Sequence, residues 1–520
     1  MRRLVLAAAA AFLSCATAVA QEARIGVAAR LTSLDPHFHN AGENNAMAFH
    51  FFDPLVGTDA HQRPVPALAE SWRAVEPTVW EFVLREGVTF HDGTPLTTTD
   101  VAFSVARLPE VPRSPASFAH YVRPITRVEV VDDRRIRFHT AEPFPLLPTY
   151  LSVFGIVSRR HGEGAQTSDY NAGRAMIGTG PYRFEAYVPN ERITMVRNSD
   201  YWGPVEPWAR VNFRVIANDS ARLAALLADD VDLISNPPPV DVERLSRDAR
   251  FRVARAPASS VYYIHLDRHR AVSPFFTDNA GQPLPTNPLN DVRVRRAMSM
   301  ALNREALVSR IMGGLGEPAA QLQSSGFFGT SPDIGVERYD PEGAKRLLAE
   351  AGYPDGFIMT MHGPNDRYPN VDRMLQAIAQ MFTRAGITTR LETMPSTVLF
   401  PRSANLEYSV VYLGAANFTG EASGLLNALL ATWDRASGAG STNRGRYSNP
   451  ELDDLLRRAV TTMDDAARER TLVQAHEVGI RDVGLIPVMF PVNVWITQRR
   501  MTYQPHAEAR TYAMQLRPAP

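Results

Sequence analysis

Apolar positions along this chain fall into short alternating runs set between stretches of helical period, which predicts an α/β protein. Residues 24–28 read as a first strand, broken by Leu34-Asp35-Pro36-His37 and a polar loop over 40–45 before a helix predicted at 46–52. Trp80, Phe82 and Leu84 share one face of the next strand. Thr99 or Asp100 caps a helix ending at Arg107, and the runs 128–131 and 135–139 form a hairpin across Asp132-Asp133. In Ile177-Gly178-Thr179-Gly180-Pro181-Tyr182-Arg183-Phe184, two glycines and a proline bracket one threonine. That predicts a tight turn releasing a strand with Tyr182, Phe184 and Tyr187, a joint rather than a source of reactive groups.

Further on, 193–196 and 211–216 read as strands, and Asp219 caps a helix at 221–228 that turns at Asp229-Asp230 into a strand at 231–234. A strand at 260–266 precedes a loop rich in proline, asparagine and glycine over 273–290, and a crossing between lobes is predicted at 264–267. Asp291 opens one helix, Pro341 sits in the first turn of another at 342–352, and helices are predicted at 371–385, from Pro450, and at 464–478. Strands at 387–392 and 410–413 alternate with them, and the strand bearing Trp495 and Ile496 carries the chain back to the first lobe.

The first 20 residues differ in character from the rest of the chain. Arg2 and Arg3, an apolar run over 4–13 and Ala18-Val19-Ala20 read as a secretory signal peptide cleaved after Ala20. Lipidation at Cys15 is the competing reading, but Leu13 stands one place too late for a good lipobox. With cleavage after Ala20 the mature chain has no thiol, because Cys15 is the only cysteine, and disulfides or cysteine-bound metals are excluded. Residues 21–520 exceed what one hydrophobic core usually serves, so at least two lobes are expected. Without Arg2 and Arg3 there are 53 basic against 55 acidic residues, which carries no nucleic-acid signature. Lys345 is the only lysine, so nearly every cation is a guanidinium suited to carboxylates.

Few motifs carry chemistry. HExxH, P-loop and GxSxG patterns are absent, and Gly438-Ala439-Gly440 lacks the third glycine of a dinucleotide fingerprint. His37 and His39 straddle Phe38 and would face one way on a strand, yet two histidines are fewer than a metal site needs, and no metal or cofactor is expected. Asp132-Asp133, Asp229-Asp230 and Asp464-Asp465 stand at turns or helix starts, where capping explains them.

Leu34-Asp35-Pro36-His37 and the segments 66–72, 82–95, 177–184, 291–297 and 447–453 together resemble the family 5 extracellular solute-binding proteins, the peptide- and nickel-type receptors of ABC importers. The resemblance implies a two-lobed periplasmic binding protein fold (type II, cluster C-like) with an extra subdomain in the first lobe and no catalysis. The corresponding boundaries are 21–264 for the first lobe, with the subdomain at about 54–170, 265–488 for the second, and 489–520 returning to the first. It also implies a monomer in the periplasm that hands a small molecule or short peptide to membrane permease subunits. A secreted hydrolase with a carboxylate pair is the rival from another class.

The resemblance places ligand contacts at Asn40, Glu43 and Asn44 in the first lobe, and at Arg367 in Gly363-Pro364-Asn365-Asp366-Arg367-Tyr368 as carboxylate anchor. In the second lobe Tyr412, Asn417, Phe418, Glu421, Trp433 and Asn443 are the remaining candidates. Peptide receptors of the family carry an amine-binding aspartate where this chain has Phe418, and a tryptophan where it has Ala415. A peptide ammonium therefore loses its expected partner unless Glu421 or Glu43 replaces it, and burying it unpaired is costly.

Overall fold

The computed structural model describes residues 22–520; the predicted signal peptide and Cys15 lie outside them. In the first lobe, the strand Glu22–Val27 runs parallel to Arg210–Val215 and to Leu233–Ser235, and Arg192–Arg197 and Tyr182–Val188 extend the sheet antiparallel. In the second lobe, Ser260–Leu266 pairs with Val410–Ala416, and Phe357–Pro364 runs parallel to Ile387–Met394. Successive residues of Ser260–Leu266 point to opposite faces, as a strand requires. Tyr262, Ile264 and Leu266 pack with the helices Val292–Met300, Pro341–Glu350 and Val371–Arg384, whereas Val261 and Tyr263 pack with Ala422–Leu429, Pro450–Thr461 and Asp465–Arg481. Helices thus cover both faces, and the lobe has three layers.

The strand Leu485–Gln498 joins the two lobes. Residues 485–489 pair with Ser260–Leu266, and 492–498 with Phe251–Pro257. The partner change falls at Ala258 and Ser259, ahead of the crossing expected at 264–267, because Ser260–Leu266 already lies wholly in the second lobe's sheet.

Within 54–170 lies a separate four-stranded antiparallel sheet, Ala69–Glu76, Val79–Leu84, Arg135–Thr140 and Ile125–Val130. Phe82, Leu84 and Phe138 on its inner face pack against Val101 and Val105 of the helix Thr98–Arg107, whose cap is Thr97 rather than Thr99 or Asp100. Asn218, not Asp219, caps the helix Asp219–Leu227, accepting from the Ala221 amide at 2.8 Å. The helix expected at 46–52 forms at Gly42–Ala48 instead. Asn44 donates to the Ser33 carbonyl at 2.9 Å and Asn45 to Asn40 Oδ1 at 2.9 Å, so tertiary hydrogen bonds override the loop preference of this polar run.

The turn at Ile177–Phe184 joins three parts of the first lobe. Gly180 donates to the Phe51 carbonyl at 2.9 Å, the Thr179 hydroxyl to Asp53 Oδ2 at 2.9 Å, and His91 accepts from the Gly178 amide at 3.2 Å. A Cβ on Gly180 would lie 2.6 Å from the Phe51 carbonyl carbon, and one on Gly178 would meet the Phe51 oxygen. Gly180→Ala is therefore expected to cost about 1–3 kcal/mol by overpacking, lowering the midpoint of urea unfolding; an unchanged midpoint would contradict this close packing.

Three buried histidines tie distant segments together. His50 donates from Nδ1 to the Ala46 carbonyl at 2.8 Å and accepts at Nε2 from the Ala513 amide at 2.9 Å. His476 donates to Gly329 and accepts from Leu322, and His91 donates to Gly180 and accepts from Gly178. Each accepting nitrogen must stay unprotonated, and burial pushes all three rings down to about 4 from an ordinary 6.5. The unfolded chain then binds protons first as pH falls, so stability is lost from about pH 6.5 down towards pH 4. Burial raises the carboxyls of Asp53, Glu206 and Glu421 and opposes this, but His37 and His265 are lowered by burial too, so the imidazoles outnumber those carboxyls. The urea midpoint should be lower at pH 5 than at pH 7.5; equal midpoints would refute the assignment.

Candidate functional site

A cleft of about 440 Å³ opens between the lobes. On the second-lobe side it is lined by Tyr263, the end of the strand Val410–Ala416, Phe418, and the helix Ala422–Leu429; His120, Tyr121 and Tyr150 form the opposite wall. Its volume is that of a small-molecule site, which usually spans roughly 300–1,000 Å³. Among the described residues, Arg444 is the only aspartate, glutamate, lysine or arginine in this lining.

The loop that presents Arg444 is pinned before the guanidinium is reached. Gly440 donates to the Asn427 carbonyl at 2.9 Å and Thr442 to Ala428 at 3.0 Å, which fastens the loop to the helix behind it. Asn443 then donates to the carbonyls of Ala431 at 3.0 Å and Tyr447 at 2.8 Å, and accepts from the Tyr447 amide at 3.1 Å. Arg444 has no hydrogen bond or ion pair from its guanidinium to another described residue. Burial lowers its pKa, and the neighbouring Tyr263 opposes that shift. Burial pushes the Tyr150 hydroxyl up to about 12 and also lowers His120, so the other polar groups of the walls are uncharged near neutral pH.

A polar contact bridges the lobes beside the cleft. Gln62 Nε2 donates to Ser259 Oγ at 3.2 Å, to the Asn417 carbonyl at 3.4 Å and to Glu508 at 3.2 Å. His61 packs edge-on against Phe327, ring centroids 5.9 Å apart.

Of the residues named from sequence, Phe418 and Asn417 line the cleft. Phe418 is half exposed, whereas the buried Asn417 amide donates to Gln323 and to the Glu421 carbonyl, and its oxygen accepts from Thr419. Asn40 stands beside that lining, its amide 3.5 Å from the Tyr121 hydroxyl.

The others lie elsewhere. Asn443 is fully buried and its amide is spent on bracing the Arg444 loop, and Tyr412 packs in the second lobe's core against Tyr262 and Tyr368. The buried carboxylate of Glu421 is ion-paired with Arg468 and hydrogen-bonded by Ser423. Trp433 is exposed beneath Arg446, whose guanidinium lies 4.5 Å from the ring centre. Asn44 is committed to Ser33, and Glu43 borders a small first-lobe cavity with Arg510 and Asn236. Arg367 is exposed outside the cleft lining, near Tyr262 and Tyr368, whose hydroxyls burial raises against the opposing charge of Arg367.

His37 and His39 do not converge. His37 is buried with Nε2 donating to the Gly155 carbonyl at 2.8 Å, while His39 bonds Thr32, and no metal-holding group of histidines, cysteines and carboxylates occurs among the described residues. Sequence reasoning missed Arg444, Tyr263, Tyr121 and Tyr150. The signal for Arg444 was its place in a loop whose glycine and asparagine turns position a side chain, in Gly440-Ser441-Thr442-Asn443-Arg444.

The profile of the bacterial extracellular solute-binding proteins, family 5 (middle region), matches residues 63–437. The chain is 25% identical over 502 residues to the glutathione-binding protein GsiB of Escherichia coli K12, covering 93% of this chain and 91% of that protein. It is 28% identical over 457 residues to heme-binding protein A of Haemophilus influenzae, covering 82% and 79%. In three dimensions it resembles the periplasmic binding protein DppA of Helicobacter pylori in complex with peptide STSA, with a TM-score of 0.74 and 23% identity over 96% of this chain and 98% of that one. With its two lobes and matching profile, this chain belongs to the bacterial extracellular solute-binding proteins of family 5.

Proposed function

We propose that the protein is a periplasmic receptor that captures a small polar, carboxylate-bearing molecule or a short peptide between its lobes and delivers it to the membrane permease of an ABC importer. The observation that carries this reading is the two-walled cleft with one unpaired guanidinium, since a ligand touching both lobes stabilises their closed arrangement. Relatives named for glutathione, heme and peptide favour a ligand among small organic molecules with acid groups. The rival hydrolase would work through a carboxylate pair, and the described cleft lining contains no aspartate or glutamate.

Titrating the purified protein with a peptide and metabolite library should give a saturable fluorescence or melting shift, with the ligand recovered intact. Turnover of the bound compound would overturn the receptor reading. Phe418 is half exposed on the cleft wall, at the position where the family resemblance implies an amine-binding aspartate in peptide receptors. Phe418→Asp is expected to tighten binding of a free-amine dipeptide at least about tenfold, the lower range for a charge-assisted hydrogen bond. No gain by calorimetry would remove Phe418 from the ligand's reach.

A further inference from the structure

Resting on that receptor reading, we propose that the cleft selects a carboxylate with an apolar or aromatic body and no free ammonium group, anchored by Arg444 rather than Arg367. A ligand carboxylate meets one fixed cation whose donors no protein group has taken, and a planar guanidinium binds a carboxylate through two parallel hydrogen bonds. Its loop is pinned by Asn443, so little conformational freedom is lost when the anion docks.

An ammonium meets the opposite situation. Glu421 is consumed by Arg468, Glu508 pairs with Arg510 at 2.8 Å, and Glu43 faces the separate first-lobe cavity. A buried ammonium would have only uncharged hydroxyls and carbonyls as partners, a costly desolvation.

The rest of the wall decides the body of the ligand. Tyr263, Phe400, Phe418, Tyr121 and Tyr150 supply rings, and Gly414, Ala415 and Ala416 leave the strand end low enough for a flat group to approach. Tyrosine adds large contact area with a neutral donor at its tip. An acid group at one end and an aromatic or alkyl body therefore fit both halves of the lining.

Three probes separate the possibilities by isothermal titration: N-acetyl-phenylalanyl-alanine, phenylalanyl-alanine with its free amine, and the C-terminal amide of the acetylated dipeptide. The acetylated acid should bind at least tenfold more tightly than either of the others. Arg444→Gln should weaken it at least tenfold with no loss of melting temperature, since the side chain braces nothing, while Arg367→Gln should bind as the parent does. Equal or tighter binding of the free-amine dipeptide, or loss with Arg367→Gln but not with Arg444→Gln, would overturn this selectivity while leaving the receptor reading intact. Absence of saturable binding for all three probes, together with none from the wider library, would overturn both.

Discussion

Both lobes depend on one unbroken hydrogen-bonded strand. Leu485–Gln498 satisfies its main-chain groups from second-lobe strands at one end and first-lobe strands at the other. Buried peptide groups must be paired, so neither lobe can complete its sheet without this strand. The change of partner between the lobes falls at Ala258 and Ser259 opposite Pro491, where Ala258 donates to the Pro491 carbonyl at 2.8 Å; a few residues at the end of such an element are the kind that absorb a change of angle between lobes. Gln62 reaches Ser259 at the same place, so first-lobe loop, crossing strand and second-lobe loop meet beside the cleft.

Charge pairing gives the cleft its character. In this arginine-rich chain several deeply placed guanidinium groups are neutralised or hydrogen-bonded by the protein itself. Arg107 holds Asp35 through two bonds of 2.9 and 2.7 Å, Arg510 holds Glu508, and Arg304 donates to the carbonyls of Pro487 and Ser299. Removing one partner of such a pair leaves an unpaired buried charge, which is why these arginines cannot serve a ligand. Arg444 differs in having open space, rather than a protein carboxylate, in front of it.

Segments with local physical signatures are legible in the amino-acid sequence. Asp291 and Asp464 cap their helices by accepting from Arg293 and Ala467, and Asp132 closes the hairpin by accepting from Arg134 and Arg135. Those hydrogen bonds span two or three residues, so neighbouring sequence determines them. The helix Gly42–Ala48 departs from its expected place because its stabilising partners, Ser33 and Asn40, act through hydrogen bonds that no periodicity records.

Residue order alone carries the alternation of strands and helices and the membership of family 5. These follow from local backbone preference and from residue identity. Which polar side chains are available follows from tertiary contacts. Asn443 and Arg444 are neighbours in sequence, yet the first turns inward to brace its loop and the second faces the cleft. Tyr121 and Tyr150 form a wall opposite the strand Val410–Ala416 of the other lobe, and whether a group is spent or free depends on partners that folding brings from so far along the chain.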